Sequence, residues 1–108
     1  MDLHQLIKDM HSNVLLYIQS YDINRLSRFL SGYLVRKRDM NISLTKEEKN
    51  FRDKFTTWVR IYYRETKFNT TVEGFILLHS NGSHYNAIKK FFELYKMWYQ
   101  KEFNEEPW

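Results

Sequence analysis

His79 and His84 flank the turn signal Ser80-Asn81-Gly82, and Lys89 and Lys90 follow close behind. Two imidazoles beside an ammonium are the set a metal-independent ribonuclease uses. One ring takes a proton, the other returns it, and the cation holds the phosphate. His4 and His11 lie seven apart and can share one side of a helix. Helical zinc sites place their histidines four apart, often with a carboxylate between, and that spacing is missing. Glu47-Glu48 and Glu105-Glu106 are adjacent pairs whose side chains diverge. General acid–base work needs two carboxyls turned into one pocket. Gly32, Gly74 and Gly82 are isolated, so there is no phosphate loop, and no serine sits in a nucleophile elbow. Cysteine is absent, which excludes disulfides, thiolate metal sites and cysteine nucleophiles. The expectation is four unrelated histidines and a chain with no catalytic residues, no metal and no cofactor.

Cations and aromatic rings are abundant instead. Arg25, Arg28, Arg36, Lys37 and Arg38 crowd one stretch, while Arg60, Arg64 and Lys67 recur at i, i+4, i+7 beside Tyr63. Arginines next to exposed tyrosines suit three uses: a solvated face, the hot spot of a protein interface, or a phosphate backbone with stacked bases. The chain holds eight Phe, eight Tyr and three Trp. Most fall at helical spacing and belong to a core. Tyr62-Tyr63 and Trp98-Tyr99 put rings on adjacent positions, which point about 100° apart, so one of each pair falls at the edge of its stripe. Edge aromatics on a small domain hint at a partner surface or a homodimer. Arg60, Tyr63, Arg64 and Trp108 are the candidate partner-binding residues.

The elements that must position these groups read as helices. Asp2 caps a first helix with Leu3, Leu6, Ile7 and Met10 on one side. Val14 to Ile18 is a short apolar run that fits a buried extended segment or a further helical turn. Asp22 caps a second helix with the stripe Ile23, Leu26, Phe29, Leu30, Tyr33 and Leu34. Gly32 sits inside it, and close packing against a neighbouring helix would explain a glycine there. A loop follows from Asp39 to Ser43. Thr45-Lys46-Glu47-Glu48 matches a capping box, and the helix it opens carries Phe51, Phe55, Trp58, Val59 and Tyr62 to about Glu65. Lys67 to Thr71 form a polar connection. Val72, Phe75 and Ile76 give a short fourth helix. Ser83 caps a fifth, with Ala87, Ile88, Phe91, Phe92, Tyr95, Trp98 and Tyr99 on one face and an end near Phe103. Residues 104–108 form a tail whose Trp108 folds back onto the body.

A chain of 108 residues makes one domain, residues 1–108, and buries roughly two-thirds of its unfolded surface. Three Gly and one Pro suit long helices with short connections, so the fold class is all-α, a bundle of about five helices around an aromatic core. No apolar stretch approaches the ~20 residues of a membrane span. The opening residues lack the pattern of a secretion signal, so the expected location is cytoplasmic. The formal charge of +4 is weakly basic.

Leu26-Ser27-Arg28-Phe29-Leu30-Ser31-Gly32-Tyr33 and the later Phe51, Phe55 and Trp58-Val59 form an ordered set of landmarks. That order, closed by an aromatic helix, resembles the small all-helical immunity proteins of bacterial contact-dependent growth inhibition and other polymorphic toxin systems. The resemblance implies a non-enzymatic protein that binds a cognate toxin domain, commonly a nuclease, and blocks its active site or substrate surface. It carries over no set of binding residues. The alternative is a small basic nucleic-acid-binding or regulatory protein.

Overall fold

The computed structural model describes residues 2–64 and 70–108. The elements are α1 (Leu3–Ser12), α2 (Leu15–Ile18), α3 (Ile23–Asp39), α4 (Lys46–Asn50), a π turn (Phe51–Phe55), α5 (Thr56–Tyr62), α6 (Val72–His79) and α7 (His84–Phe103). There is no strand among the described residues. The π turn joins α4 to α5 in one rod, so the helix beyond the five expected is α2, a single turn of four residues. Its presence settles the Val14–Ile18 run as helical. The expected end at Glu65 and the polar cation Lys67 lie outside the described residues.

Helix starts follow the capping residues. Asp2 accepts from the Gln5 amide at 2.8 Å, Asp22 from Asn24 and Arg25, Thr45 from Glu48, and Ser83 from Asn86. Three helix ends fall to asparagine. Asn41, Asn81 and Asn104 all adopt left-handed backbone, which asparagine tolerates better than most residues. After α3 and α6 the closure is of Schellman type: Ile42 N–H donates to Lys37 O at 2.9 Å and Gly82 N–H to Leu77 O at 3.0 Å.

α7 is the central helix. Ala87, Ile88, Phe91, Phe92, Leu94, Tyr95, Trp98 and Tyr99 are all buried, an arc of about 160° around its axis. Leu94 stands at the edge of that arc, in line with Ala87, Phe91 and Trp98 at i, i+4, i+7 and i+11. α1, α3, α5 and α6 contribute Leu3, Ile7 and Met10, Ile23 and Leu26, Val59, and Ile76, each at most 1% exposed. The stacked and edge-to-face rings of Phe51, Phe55, Phe91, Tyr95 and Trp98 form the aromatic centre. Two expectations for α3 are corrected. Phe29 is 37% exposed, off the core face with its edge to Tyr17. Gly32 packs against none of the described residues, since an added Cβ would meet none of their atoms within 4 Å.

One buried charge ties three helices together. Glu48 is 1% exposed. Its carboxylate accepts from its own cap residue, Thr45 N, at 2.8 Å, from Leu3 N at 3.0 Å and from Lys37 Nζ at 2.8 and 2.9 Å. Leu3 N is one of the N–H groups that a helix start leaves without an internal partner. Burial alone would raise the Glu48 pKa; the bonds from Lys37, Thr45 and Leu3 outweigh it and hold the carboxyl below its usual range. Burial likewise opposes the Lys37 charge, and bonds to Glu48 and Tyr33 override it, raising the ammonium's pKa. Lys37 is thus a structural cation rather than part of a solvated basic stretch.

Candidate partner-binding groove

α1 ends at Ser12 and α2 begins at Leu15, and this corner leans on the middle of α7. The space between them is an open groove of about 400 Å³. One wall carries His11, Leu15 and Tyr21; the other carries Tyr85, Lys89, Phe92 and Lys96; Trp108 closes one end. The geometry follows from α7. Tyr85, Phe92 and Lys96 recur at i, i+7, i+11 with Ile88 and Lys89 between, so they make a strip along the border of the buried arc.

Tyr21 and Tyr85 meet edge to face with centroids 4.9 Å apart, and both are exposed. Lys89 Nζ lies 5.4 Å from the Tyr85 ring centre, a cation–π arrangement at the rim. At the far end Trp108 stacks on His11 at 4.1 Å with the planes 10° apart, and Phe92 presents its edge to His11 at 5.3 Å. Glu106 braces this tail through Gln100 at 2.7 Å and Lys96 at 3.7 Å. Burial, and then the nearby Lys96 charge, lower the His11 pKa, so the ring in the stack is neutral at pH 7. An aromatic trough with a cation at its rim can hold an apolar or aromatic side chain and pair with a carboxylate beside it.

The four candidate residues divide between two places. Trp108 is half-buried in the groove, folded back as expected. Arg60 is half-buried elsewhere: its guanidinium donates to Thr70 O at 2.9 Å and lies over the Phe75 ring at 4.8 Å, linking the end of α5 to α6. Tyr63 is half-buried and stacked on His79 at 4.4 Å, and its hydroxyl is buried without a hydrogen-bond partner among the described residues. Burial raises its pKa. Arg64 is exposed in left-handed backbone at φ 55°. Tyr63 neighbours Tyr62, which bonds Lys90, whereas Trp108 packs near Phe92. Lys90 and Phe92 point about 200° apart on α7, so the four candidate residues fall on opposite sides of that helix.

The histidines also separate. His79 is taken up by the Tyr63 stack, while His84 Nδ1 accepts from Ile23 N at 3.2 Å. That acceptor role requires a neutral ring. The 3.7 Å approach of the same nitrogen to Asp22 is therefore an ion pair only after protonation. No hydrogen bond or ring contact joins His79 to His84 among the described residues. The Tyr95 hydroxyl and His4 Nδ1 share a hydrogen bond of 2.8 Å, and His4 stacks on Tyr99 at 4.3 Å. Among the described residues no three His, Cys, Asp or Glu side chains converge as a metal site requires, and no helix is long and apolar enough to cross a membrane.

Tyr21, Leu15 and Tyr85 had no place in the sequence-derived set. The run Leu15-Leu16-Tyr17 read equally as core, and Tyr85 lies off the stripe of α7. Their shared signal is an apolar residue next to, but outside, a buried stripe. Comparison with protein-family models, curated proteins and solved structures finds no match.

Proposed function

We propose that the chain is a binding protein of the immunity kind, which neutralises a toxin domain by one-to-one contact, with the groove as its grip. The observation that carries this reading is the open trough itself. Tyr21, Tyr85 and Leu15 are exposed together beside Lys89 around one depression. Tyrosine and cations around an apolar depression make the composition of an interface hot spot. The resemblance of the Leu26–Tyr33 and Phe51–Val59 landmarks to immunity proteins supplies the partner class. The +4 charge favours a partner that is acidic at the contact.

The test is calorimetric titration with the polypeptide encoded beside this chain, before and after nuclease treatment. Stoichiometric binding that survives moderate salt, and that Tyr85→Ala weakens by about 2 kcal/mol or more, fits the reading. Recovery of nucleic acid alone, lost at a few hundred millimolar salt, replaces it with the nucleic-acid-binding alternative.

A further inference from the structure

α3 carries a second surface. Arg25, Phe29, Gly32 and Arg36 recur at i, i+4, i+7 and i+11, with Arg28 beside them, so all five fall within about 100° of arc along about 16 Å of helix. All five are exposed. Arg25 donates to Ile18 O and Arg28 to Asn24 O, each at 3.3 Å. None of the three arginines forms an ion pair with a described residue. The acids at either end are occupied: Asp22 caps α3 and Asp39 pairs with Arg38.

Gly32 stands in the middle of this row, and an added Cβ there would meet nothing within 4 Å. Nothing inside the molecule calls for a glycine, which in a helix interior is about 1 kcal/mol worse than alanine. The result is a gap in the side-chain row, with Phe29 three positions before it on the same face and cations on both sides along the axis.

We propose that this flank seats an acidic amphipathic segment of a protein partner. An apolar side chain of the partner enters the gap at Gly32 against Phe29. Carboxylates one turn to either side meet Arg25 and Arg28 on one hand and Arg36 on the other. Arginine's planar fork suits carboxylates. A sugar–phosphate strand would use the cations but has no need of a gap one residue wide, so the glycine favours protein. The flank is continuous with the groove through α2, where Leu15 lines the groove and Tyr17 touches Phe29. The inference rests on the reading that the chain binds a protein, but it concerns a separate surface.

The probe is a fluorescein-labelled helical peptide of about 18 residues, with Leu at its centre and Glu four residues to either side. A Lys-for-Glu version and a single-stranded oligo-dT of similar length are the controls. Polarisation is read at near-physiological salt, with thermal melts of each variant alongside. The acidic peptide binds and the Lys version does not. Gly32→Ala melts higher than the wild type yet binds the peptide about tenfold more weakly, a change of about 1.4 kcal/mol. Arg25→Glu with Arg36→Glu abolishes binding, and Tyr85→Ala leaves it unchanged. Equal peptide affinity for Gly32→Ala and wild type overturns the proposal, and so does oligo-dT binding tighter than the peptide. Loss in Tyr85→Ala alone assigns the peptide to the groove, which removes the flank and leaves the proposed function standing. Peptide binding without any binding of the neighbouring polypeptide defeats the proposed function instead.

Discussion

The two ends of α1 are held by opposite means. At Leu3 the helix start donates to a buried carboxylate from another helix, and Lys37 neutralises that carboxylate. At His11 the last turn is held by the flat stack of Trp108 and the edge of Phe92, beside an open groove. One end is polar, enclosed and saturated with hydrogen bonds. The other is aromatic, partly wet and lined with exposed rings. A closed polar knot fixes geometry but leaves nothing for a partner to hold. An open aromatic end holds the helix more loosely and leaves area for recognition.

Breaking the polar end has the largest effect. Glu48→Ala leaves Lys37 without its carboxylate and takes the acceptor from Leu3 N and Thr45 N, so it costs about 3 kcal/mol or more in chemical denaturation. A loss below about 1 kcal/mol would show that the knot does not hold α1. At the aromatic end, Trp108→Ala costs less, about 1–2 kcal/mol for a half-buried ring. It also uncovers His11, whose pKa then rises toward its ordinary value in an NMR titration. Tyr95→Phe removes one neutral hydrogen bond, costs about 1 kcal/mol, and leaves His4 Nδ1 without its hydroxyl partner.

Acid separates the two ends further. Burial lowers the His4 and His11 pKa values, so the unfolded chain takes protons first. Stability falls as pH drops below about 6.5, and the loss is complete once the folded-state values are passed. The Glu48 contribution persists to lower pH: its depressed pKa means the loss runs from about 4.5 down through the folded value. Above about 10, the raised pKa values of Lys37 and Tyr95 both make stability fall as pH rises. Denaturant midpoints between about pH 2 and 11 check the order, and a flat profile from 7 down to 5 would remove the histidines from it. The smallest change is a gain: Gly32→Ala stabilises by about 0.5–1 kcal/mol, read as a rise in Tm.

Local chemistry was legible in the sequence. Asp2, Asp22, Thr45 and Ser83 cap the helices they were expected to cap, and the α7 stripe from Ala87 to Tyr99 is buried. These depend on residues within a turn or two. What escaped depends on distant partners. Glu48 was readable as half of a capping box, but its bonds to Lys37 and Leu3 span 11 and 45 residues. Phe29 fits the apolar stripe of α3 and still lies outside the core, because it points about 60° away from Leu26 and 100° from Leu30, on the side where its ring meets Tyr17 of α2. Phe51 and Phe55 stack at 4.9 Å because the turn between them is wound wider than an α-helix. The groove needs Tyr21 and Tyr85 together, and no local pattern relates two tyrosines 64 positions apart. The separation of Trp108 from Tyr63 likewise depends on which sides of α7 the tail and α5 adopt.

Glu48 also sets an order of events. The Leu3 amide has no acceptor within its own helix, so in an isolated N-terminal segment it would exchange with solvent as fast as a frayed end. Its acceptor arrives only after 45 further residues have been added. Docking of α1 is thus conditional on the turn that opens α4, and the first helix cannot complete its start ahead of the rest of the chain. Hydrogen exchange would then class the Leu3 amide with the amides of α7, opening only when the whole domain unfolds.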